Sequence, residues 1–217
     1  MSGSGRGWNR ANSTTSRTEA FSDGVFAVAI TLLVLDLKVP QAGDLSANQR
    51  LLAVLLKEWP AYLGYALSFI TILIMWINHH NIFKCLERTD HLLLILNGLL
   101  LMGITVVPFS TALLAEYLGR RDENTAMVAY SATFLVIAVL FNLLWHHASS
   151  GEELLSKSVD PRFVKAFTRQ YRPGPALYLL TFVLAFFYVP ASLAISILLA
   201  VFFMLPISVN RSIMNTD

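Results

Sequence analysis

Residues 17 to 37 read Arg-Thr-Glu-Ala-Phe-Ser-Asp-Gly-Val-Phe-Ala-Val-Ala-Ile-Thr-Leu-Leu-Val-Leu-Asp-Leu, and this stretch decides the fold. Its uncharged part, Gly24 to Leu35, has only 12 residues, whereas a helix needs roughly 20 to cross the hydrocarbon core of a bilayer. The helix can therefore span a membrane only if polar residues such as Asp23 enter the membrane or a protein interior with it. Polar groups at that depth are costly, so we expect them to be paired or to face a water-filled path.

The composition places this stretch in a bilayer. Hydrophobic residues make up 55% of the chain and charged residues 14%, and the mean hydropathy is +0.58, whereas soluble domains contain about 25% charged residues. Long runs without Asp, Glu, Lys or Arg follow at 59–83, 91–115, 124–151 and 173–210. The last run is long enough for two helices, and Val189-Pro190 near its middle predicts a hairpin turn. The chain is therefore predicted to be an all-α integral membrane protein with six transmembrane helices, at about 17–38, 59–84, 90–116, 124–148, 174–189 and 191–210.

The distribution of Lys and Arg predicts the orientation. With six spans, both termini lie on one side of the membrane, and that side carries eleven of the 16 basic residues: Arg6, Arg10, Arg17, Lys84, Arg88, Lys157, Arg162, Lys165, Arg169, Arg172 and Arg211. The other side carries five: Lys38, Arg50, Lys57, Arg120 and Arg121. The positive-inside rule then places both termini in the cytoplasm. We expect a multi-pass protein of the cell membrane.

The remaining segments contain no soluble domain. Residues 1–16 are rich in Gly, Ser, Asn and Thr and are predicted to be a disordered cytoplasmic N-terminus. Ser16-Arg17-Thr18-Glu19 matches a capping box, which predicts that the first helix begins there. Residues 17–210 then form the transmembrane domain, and residues 211–217 a cytoplasmic tail. The lone Cys85 excludes an internal disulfide and is expected to be a reduced, inert thiol.

The first predicted helix presents two different faces. At 100° per residue, Gly24, Val28, Thr31 and Leu35 form one narrow stripe, and Asp23 lies about 100° from Gly24. Copies of the stripe from several subunits around an axis would form a narrow pore with an apolar constriction and one ring of hydroxyls. Small residues at this spacing are equally typical of packing against another helix of the same chain. The pattern by itself leaves both interpretations open.

A second polar cluster, Trp76-Ile77-Asn78-His79-His80, ends the second predicted helix at the same membrane depth as Asp23. An imidazole or the Asn78 amide could pair with Asp23 and remove the cost of burying it alone. Adjacent histidines point about 100° apart on a helix, whereas metal ligands on one helical face are normally three or four residues apart. We therefore expect no metal site at His79 and His80.

These motifs carry a resemblance to a known family. The sequence Arg17-x-x-x-Phe21-Ser22-Asp23 resembles the signature of the transmembrane protein 175 family of potassium channels. The resemblance continues in three further elements along the first 115 residues: Trp76-x-x-His79-His80-x-x-Phe83, Asn97, and Pro108-Phe109-x-Thr111-Ala112-Leu113-Leu114. The resemblance implies a six-helix unit that assembles as a homotetramer in the lipid bilayer, as in bacterial and archaeal members, and a pore lined by the first helix. It also implies a channel without the Thr-Val-Gly-Tyr-Gly carbonyl filter, which this chain lacks.

The resemblance also assigns roles to single residues. The apolar constriction of the family falls on Val28, which is smaller than the expected Ile or Leu, with Leu32 and Leu35 as outer hydrophobic positions and Gly24 facing the pore. The threonine that contributes to selectivity falls on Thr31. The signature residues Arg17, Phe21, Ser22 and Asp23 would hold the helix in place rather than touch the ion, supported by Trp76, Asn78, His79, His80 and Asn97.

The sequence thus predicts a passive, modestly potassium-selective cation channel, with no cofactor beyond the permeant potassium ions and no nucleic-acid partner. The alternative is a proton- or cation-coupled secondary transporter that uses Asp23, His79 and His80. Transporters of that kind commonly show inverted repeats and broken helices, and this sequence shows neither. An enzyme is not expected, because no nucleophile with its base and no paired intramembrane acids at catalytic spacing are visible.

Overall fold

A computed structural model describes residues 5–40, 50–150 and 154–204, with side chains from residue 15 onward. Within these ranges the chain is helical, and two loops pair through one isolated antiparallel bridge, Leu86 with Leu155. The helices are α1 (Gly5–Leu32), which continues as a 3-10 turn (Leu33–Asp36), α2 (Leu51–Lys57), α3 (Trp59–Lys84), α4 (His91–Tyr117), α5 (Glu123–Ser150), α6 (Pro161–Tyr171), α7 (Gly174–Ala185) and α8 (Val189–Met204).

Four of the described segments are long and apolar enough to cross a membrane: Thr15–Asp36, Trp59–Lys84, His91–Tyr117 and Glu123–Ser150. They coincide with the first four predicted spans to within a few residues, and they confirm the all-α membrane class. Helices α7 and α8 are shorter, with 12 and 16 residues. The predicted end of the last helix at 210 and the predicted tail 211–217 lie outside the described residues.

Helix α1 begins earlier than the capping motif predicts. The structure continues it back to Gly5, so residues 5–16 are helical where the composition predicts disorder, and residues 1–4 lie outside the described part. Extending an existing helix adds one backbone hydrogen bond per residue and needs no new nucleus, and no proline interrupts this segment. Ser16 therefore lies inside the helix, and the capping-box prediction is wrong.

The turn between α7 and α8 lies at Phe186–Tyr188 rather than at Val189-Pro190. Pro190 instead occupies the first turn of α8, where the missing proline N–H leaves no hydrogen bond unmade. The Ser192 hydroxyl donates to the Thr181 carbonyl at 2.7 Å and ties the two helices together. The predicted hairpin exists, but three residues earlier.

The ends of the helices meet in two groups, one at each end of the bundle. At one end, the loop after α3 pairs with the loop after α5, and Glu87 N–H donates to the Leu154 carbonyl at 2.9 Å. At the other end, the Asn124 amide at the start of α5 donates to the Ala185 carbonyl at 2.9 Å, at the turn between α7 and α8. Tyr171 before α7 stacks on Phe203 of α8 with ring centroids 5.5 Å apart, and its carbonyl accepts from the Asn142 amide of α5 at 3.1 Å. Helices α7 and α8 therefore pack along α5 between Asn142 and Asn124.

Hydroxyl groups help to hold the interior where α3, α4 and α5 meet. Ser68, Thr111 and Tyr130 are buried, and Ser68 Oγ lies 2.7 Å from Thr111 Oγ1 and 3.3 Å from the Tyr130 hydroxyl. Lipid tails are as apolar as a hydrophobic core, so helices in a bilayer associate through close packing and such interhelical hydrogen bonds. Each hydroxyl here has a partner, as burial requires.

Asp90 joins two helices at the end where α4 begins. Its carboxylate accepts the Leu93 N–H at 2.8 Å as an N-cap and accepts from His147 Nε2 on α5 at 2.8 Å. Partial burial raises the pKa of Asp90, but these two hydrogen bonds outweigh that effect and hold the pKa below its ordinary value. The charged form of Asp90 is therefore the form that the fold stabilises.

We expect Asp90→Ala to destabilise the protein by about 1 kcal/mol through loss of the N-cap, measured as a lower thermal unfolding temperature in detergent. Asp90→Ser, which keeps a capping oxygen, should recover most of the loss. Because the folded-state pKa is lowered, the contribution of Asp90 is complete above about pH 4 and disappears as the pH falls further. Equal stability of the Ala and Ser variants at pH 7 would contradict the capping role.

Candidate functional site: one free face on helix α1

Helix α1 lies at the edge of the bundle, where it packs on α3 and α4. Only 22% of its apolar stretch is buried, against 39–44% for the other three long segments. The buried residues recur at helical spacing on one side: Ser22, Phe26, Ala29 and Leu33. At 100° per residue, the centre of the predicted stripe lies about 165° away from this buried row. The subunit therefore holds α1 by one face and leaves the opposite face open.

The predicted stripe occupies this open face. Val28 is 56% exposed and Leu35 is 73% exposed, and Gly24, Thr31 and Leu32 are exposed as well. A Cβ atom added at Gly24 would meet no described atom of the subunit within 4 Å. Within the described ranges, the small size of Gly24 therefore serves no packing. The packing of the stripe against another helix of the same chain, which the sequence left open, does not occur in the described structure.

The Thr31 hydroxyl is the polar group of the stripe, and its proton is already used. Thr31 Oγ1 donates to the Val28 carbonyl of the same helix at 2.9 Å. The atom that Thr31 presents to the open face is thus an oxygen whose lone pairs remain available. Such an oxygen can face a cation but has no proton left to donate to an anion.

The C-terminal end of α1 departs from the regular stripe. Leu33–Asp36 form a 3-10 turn, in which residues i and i+3 eclipse one another. Leu35 therefore lies above Leu32 rather than above Thr31, so the straight stripe predicted from 3.6-residue periodicity ends at Thr31. Both leucines remain exposed on the open side.

A continuous chain of buried hydrogen bonds holds the other face of α1. The Ser22 hydroxyl donates to the Thr18 carbonyl at 2.8 Å, and the Asn97 amide of α4 donates to Ser22 Oγ at 3.0 Å. Asn97 Oδ1 lies 2.8 Å from His79 Nε2 of α3, and because a carbonyl oxygen only accepts, the His79 ring donates this bond. Ser22, Asn97 and His79 are buried, and the His79 ring lies between Phe26 and Phe83 at 5.4 and 4.4 Å. Three helices are thus joined through one side-chain network.

Two further contacts fix α1 to α3. The Trp76 indole N–H donates to Asp23 Oδ1 at 2.8 Å, and His80 Nδ1 lies 2.6 Å from Glu19 Oε1. The partner of Asp23 is therefore an indole, and the prediction of an imidazole or the Asn78 amide is wrong in that detail. Asn78 is buried on α3 and lines a cavity together with Tyr171.

The histidine pair divides its two side chains between different partners. His79 bonds α4 through Asn97 and His80 bonds α1 through Glu19, as the 100° between adjacent helical positions requires. The sequence predicts Glu19 only as part of a helix cap and does not reveal its contact with His80. The signal was its position four residues before Asp23, which places both acids on the side of α1 that meets α3.

The four signature residues do not act alike within one subunit. Ser22 and Asp23 make the contacts described above, whereas Arg17 is exposed and Phe21 is 67% exposed. The role of Arg17 and Phe21 as holders of the helix stays a prediction.

Cys85, at the end of α3, is buried, and burial raises the pKa of its thiol to about 11, so the neutral thiol predominates at pH 7.

Comparison with known proteins identifies the family. The family model described as endosomal/lysosomal potassium channel TMEM175 matches residues 17–108. A potassium channel of Chamaesiphon minutus is 51% identical over 193 residues, which cover 89% of this chain and 95% of that protein. The chain belongs to the TMEM175 family of potassium channels. Membership in a TMEM175 ion-channel family confirms the prediction that the chain is not an enzyme.

Other TMEM175 relatives agree in length and fold. A potassium channel of Streptomyces collinus is 42% identical and covers 87% of this chain and 91% of its own length. The crystal structure of a lysosomal potassium-selective channel TMEM175 homolog from Chamaesiphon minutus superimposes with a TM-score of 0.81 at 49% identity, covering 88% of this chain and 97% of that one. A point variant of the potassium channel MtTMEM175 is 21% identical with a TM-score of 0.58, covering 87% and 86% of the two chains, and shares the fold.

We expect Asn97→Ala to destabilise the protein by about 1–3 kcal/mol, because it leaves the buried His79 Nε2–H without an acceptor. The measurement is thermal unfolding of the purified protein followed by size-exclusion chromatography. Thr105→Val on the same helix is the control, since the exposed Thr105 hydroxyl bonds only the Met102 carbonyl of its own helix. If both variants unfold at the same temperature, the network does not hold α1.

Proposed function

We propose that this chain conducts potassium ions passively through a central pore lined by the open face of α1 from each subunit. Membership in the TMEM175 family supports the channel function. The single observation that supports the pore assignment is that Gly24 and the side chains of Val28 and Thr31 are exposed in the described structure, on the face of α1 opposite to its packing on α3 and α4. An apolar helix held by one face needs a further environment for the other, and copies of α1 around an axis provide it.

The proposed assembly is a homotetramer of six-span subunits in the plasma membrane, with both termini in the cytoplasm. The apolar hairpin of α7 and α8, which packs along α5 between Asn142 and Asn124, supports six spans, although these two helices are shorter than roughly 20 residues. The excess of Lys and Arg at the end that holds α6 and the start of α1 supports the orientation.

The proposed gate is a dewetting constriction. Rings of Val28, Leu32 and Leu35 side chains provide no partner for water or for an ion, so a narrow apolar passage empties of water and stops conduction. The hydrogen bonds of α1 lie on the opposite face, and a small rotation of the helix that pivots about them would widen the passage. The residues that control conduction are therefore different from the residues that hold the helix in place.

The proposed basis of selectivity is the ring of Thr31 oxygens together with the pore width. A partly dehydrated potassium ion loses less hydration free energy than sodium, so weak ligands favour potassium. Hydroxyl oxygens are weak ligands and only one ring is available per pore. We therefore propose modest selectivity, with no cofactor other than the permeant ion.

The competing transporter hypothesis needs Asp23, His79 and His80 on a shared ion path. Each of these groups is instead bonded to a different partner, Trp76, Asn97 and Glu19 respectively, and His79 is fully buried. Planar-bilayer recording separates the two functions. A channel gives unitary currents that rise with the potassium gradient, whereas the flux through a transporter saturates. Reversal potentials measured with potassium on one side and sodium on the other give the selectivity.

We expect Val28→Ala to increase the single-channel potassium conductance and the leak through the closed pore several-fold, because it removes two methyl groups per subunit from the constriction. Val136→Ala on α5 is a matched control, since Val136 is 53% exposed, close to the 56% of Val28. Unchanged unitary conductance in Val28→Ala, with normal assembly, would place the constriction elsewhere.

Gly24→Ala should fold and assemble but conduct less, because a ring of added methyl groups narrows the passage below the gate. Alanine also favours the helix by about 1 kcal/mol relative to glycine, so loss of current would not reflect loss of the helix. Gly98→Ala on α4 is the control, because a Cβ at Gly98 likewise meets no atom within 4 Å. Equal currents from both variants would argue against a pore at Gly24.

A further inference from the structure

Helix α6, Pro161–Tyr171, carries its basic residues on a single face. Arg162, Lys165, Arg169 and the following Arg172 recur at intervals of three and four residues. At 100° per residue they lie within an arc of about 80°, and all four are exposed. We call these four residues the basic stripe. From the sequence, these four residues predict only the orientation of the chain in the membrane.

The opposite face of α6 is anchored to α5. Phe167 is buried against Trp145 with ring centroids 4.6 Å apart, and the Trp145 indole N–H donates to Thr168 Oγ1 at 2.8 Å. The Asn142 amide donates to the Tyr171 carbonyl at 3.1 Å. The orientation of α6 about its own axis is therefore fixed by packing, and the basic stripe points outward as a consequence.

The charge of the basic stripe is uncompensated within the part of the chain that the structure describes. The described ion pairs of the subunit involve other cations: Lys38, His80, Arg120 and His147. Asp160, the nearest acid in the described sequence, caps the helix by accepting the backbone N–H of Arg162 at 2.7 Å. Among the described residues, the four cations of this face thus lack a carboxylate partner.

The position of α6 along the chain indicates which partner neutralises the positive charges of the basic stripe. Arg172 lies two residues before α7, where the apolar run begins. In the orientation proposed above, on which this inference rests, the stripe lies on the cytoplasmic leaflet, where anionic lipids attract Lys and Arg next to membrane spans.

We propose that α6 is an interfacial helix whose basic stripe binds the headgroups of anionic phospholipids. The lipid phosphate provides the negative charge that the described subunit does not, and the guanidinium groups of the three arginines bind phosphate oxygens through paired N–H donors. A cluster of four Lys and Arg residues immediately cytoplasmic of a membrane span is typical of sites that bind anionic lipids.

Native mass spectrometry of the purified oligomer tests this, with phosphatidylglycerol and phosphatidylcholine of identical acyl chains. The wild-type protein should retain phosphatidylglycerol preferentially. The variant R162Q/K165Q/R169Q/R172Q should lose at least about tenfold of that preference. R162K/R169K/R172K, which keeps the charge, should retain most of it. The control R50Q/K57Q/R120Q/R121Q removes four cations from the opposite end of the bundle and should behave as the wild type.

Unchanged phosphatidylglycerol retention in the four-glutamine variant would overturn the proposal and leave an acidic protein segment as the partner of the stripe. Displacement of the lipid by millimolar glycerophosphate would equally overturn it, since a soluble phosphate would then suffice. If the variant does not assemble, the half variants R162Q/K165Q and R169Q/R172Q should each show partial loss. Retention is measured without ion flux, so a failure of conduction and a failure of lipid binding are distinguishable.

Discussion

The hydrogen-bond network that joins Ser22, Asn97 and His79 is the constraint on which the rest of the structure depends. It holds α1 to α3 and α4 through one face only, together with the contact between Trp76 and Asp23. In a bilayer, these bonds supply the specificity that the hydrophobic effect does not provide between apolar helices. Because they use one face of α1, the opposite face remains available for an ion path. Ser22 and Asp23 shorten the apolar stretch of α1, and the same two residues fix the position of the helix.

This arrangement separates two tasks that a single helix must perform. The side that carries Ser22 is buried and makes the hydrogen bonds, with the half-buried Asp23 next to it, and the side that carries Val28 is small, mostly apolar and exposed. In the proposed channel, a change of bulk at Val28 alters conduction without loosening α1, and a change at Asn97 loosens α1 without altering the bulk in the pore. In the proposed assembly, the basic stripe on α6 adds a contact with lipid headgroups at the end of the bundle where α3 ends.

Periodicity and charge predicted the long helices to within a few residues, because runs without charged residues are unambiguous over about 25 positions. They also predicted that Asp23 and the stripe face different neighbours, since an angle between helical positions follows from the sequence alone. Other features depended on three-dimensional contacts. The indole partner of Asp23 and the bond between Glu19 and His80 join residues 53 and 61 positions apart, and the 3-10 turn that moves Leu35 out of the stripe has no local signal in an apolar sequence. The helical state of residues 5–16 depends on a helix that already exists beyond them.

Cysteine accessibility along α1 shows whether its open face lines the ion path. In a Cys85→Ser background, single cysteines at Gly24, Val28 and Thr31 are compared with one at the buried Ala29, and block of the potassium current by silver ions is recorded in planar bilayers. If the open face lines the pore, silver blocks the three stripe variants and leaves the Ala29→Cys current unchanged. Persistent currents in all three stripe variants, or equal block at Ala29, would contradict a pore lined by this face of α1.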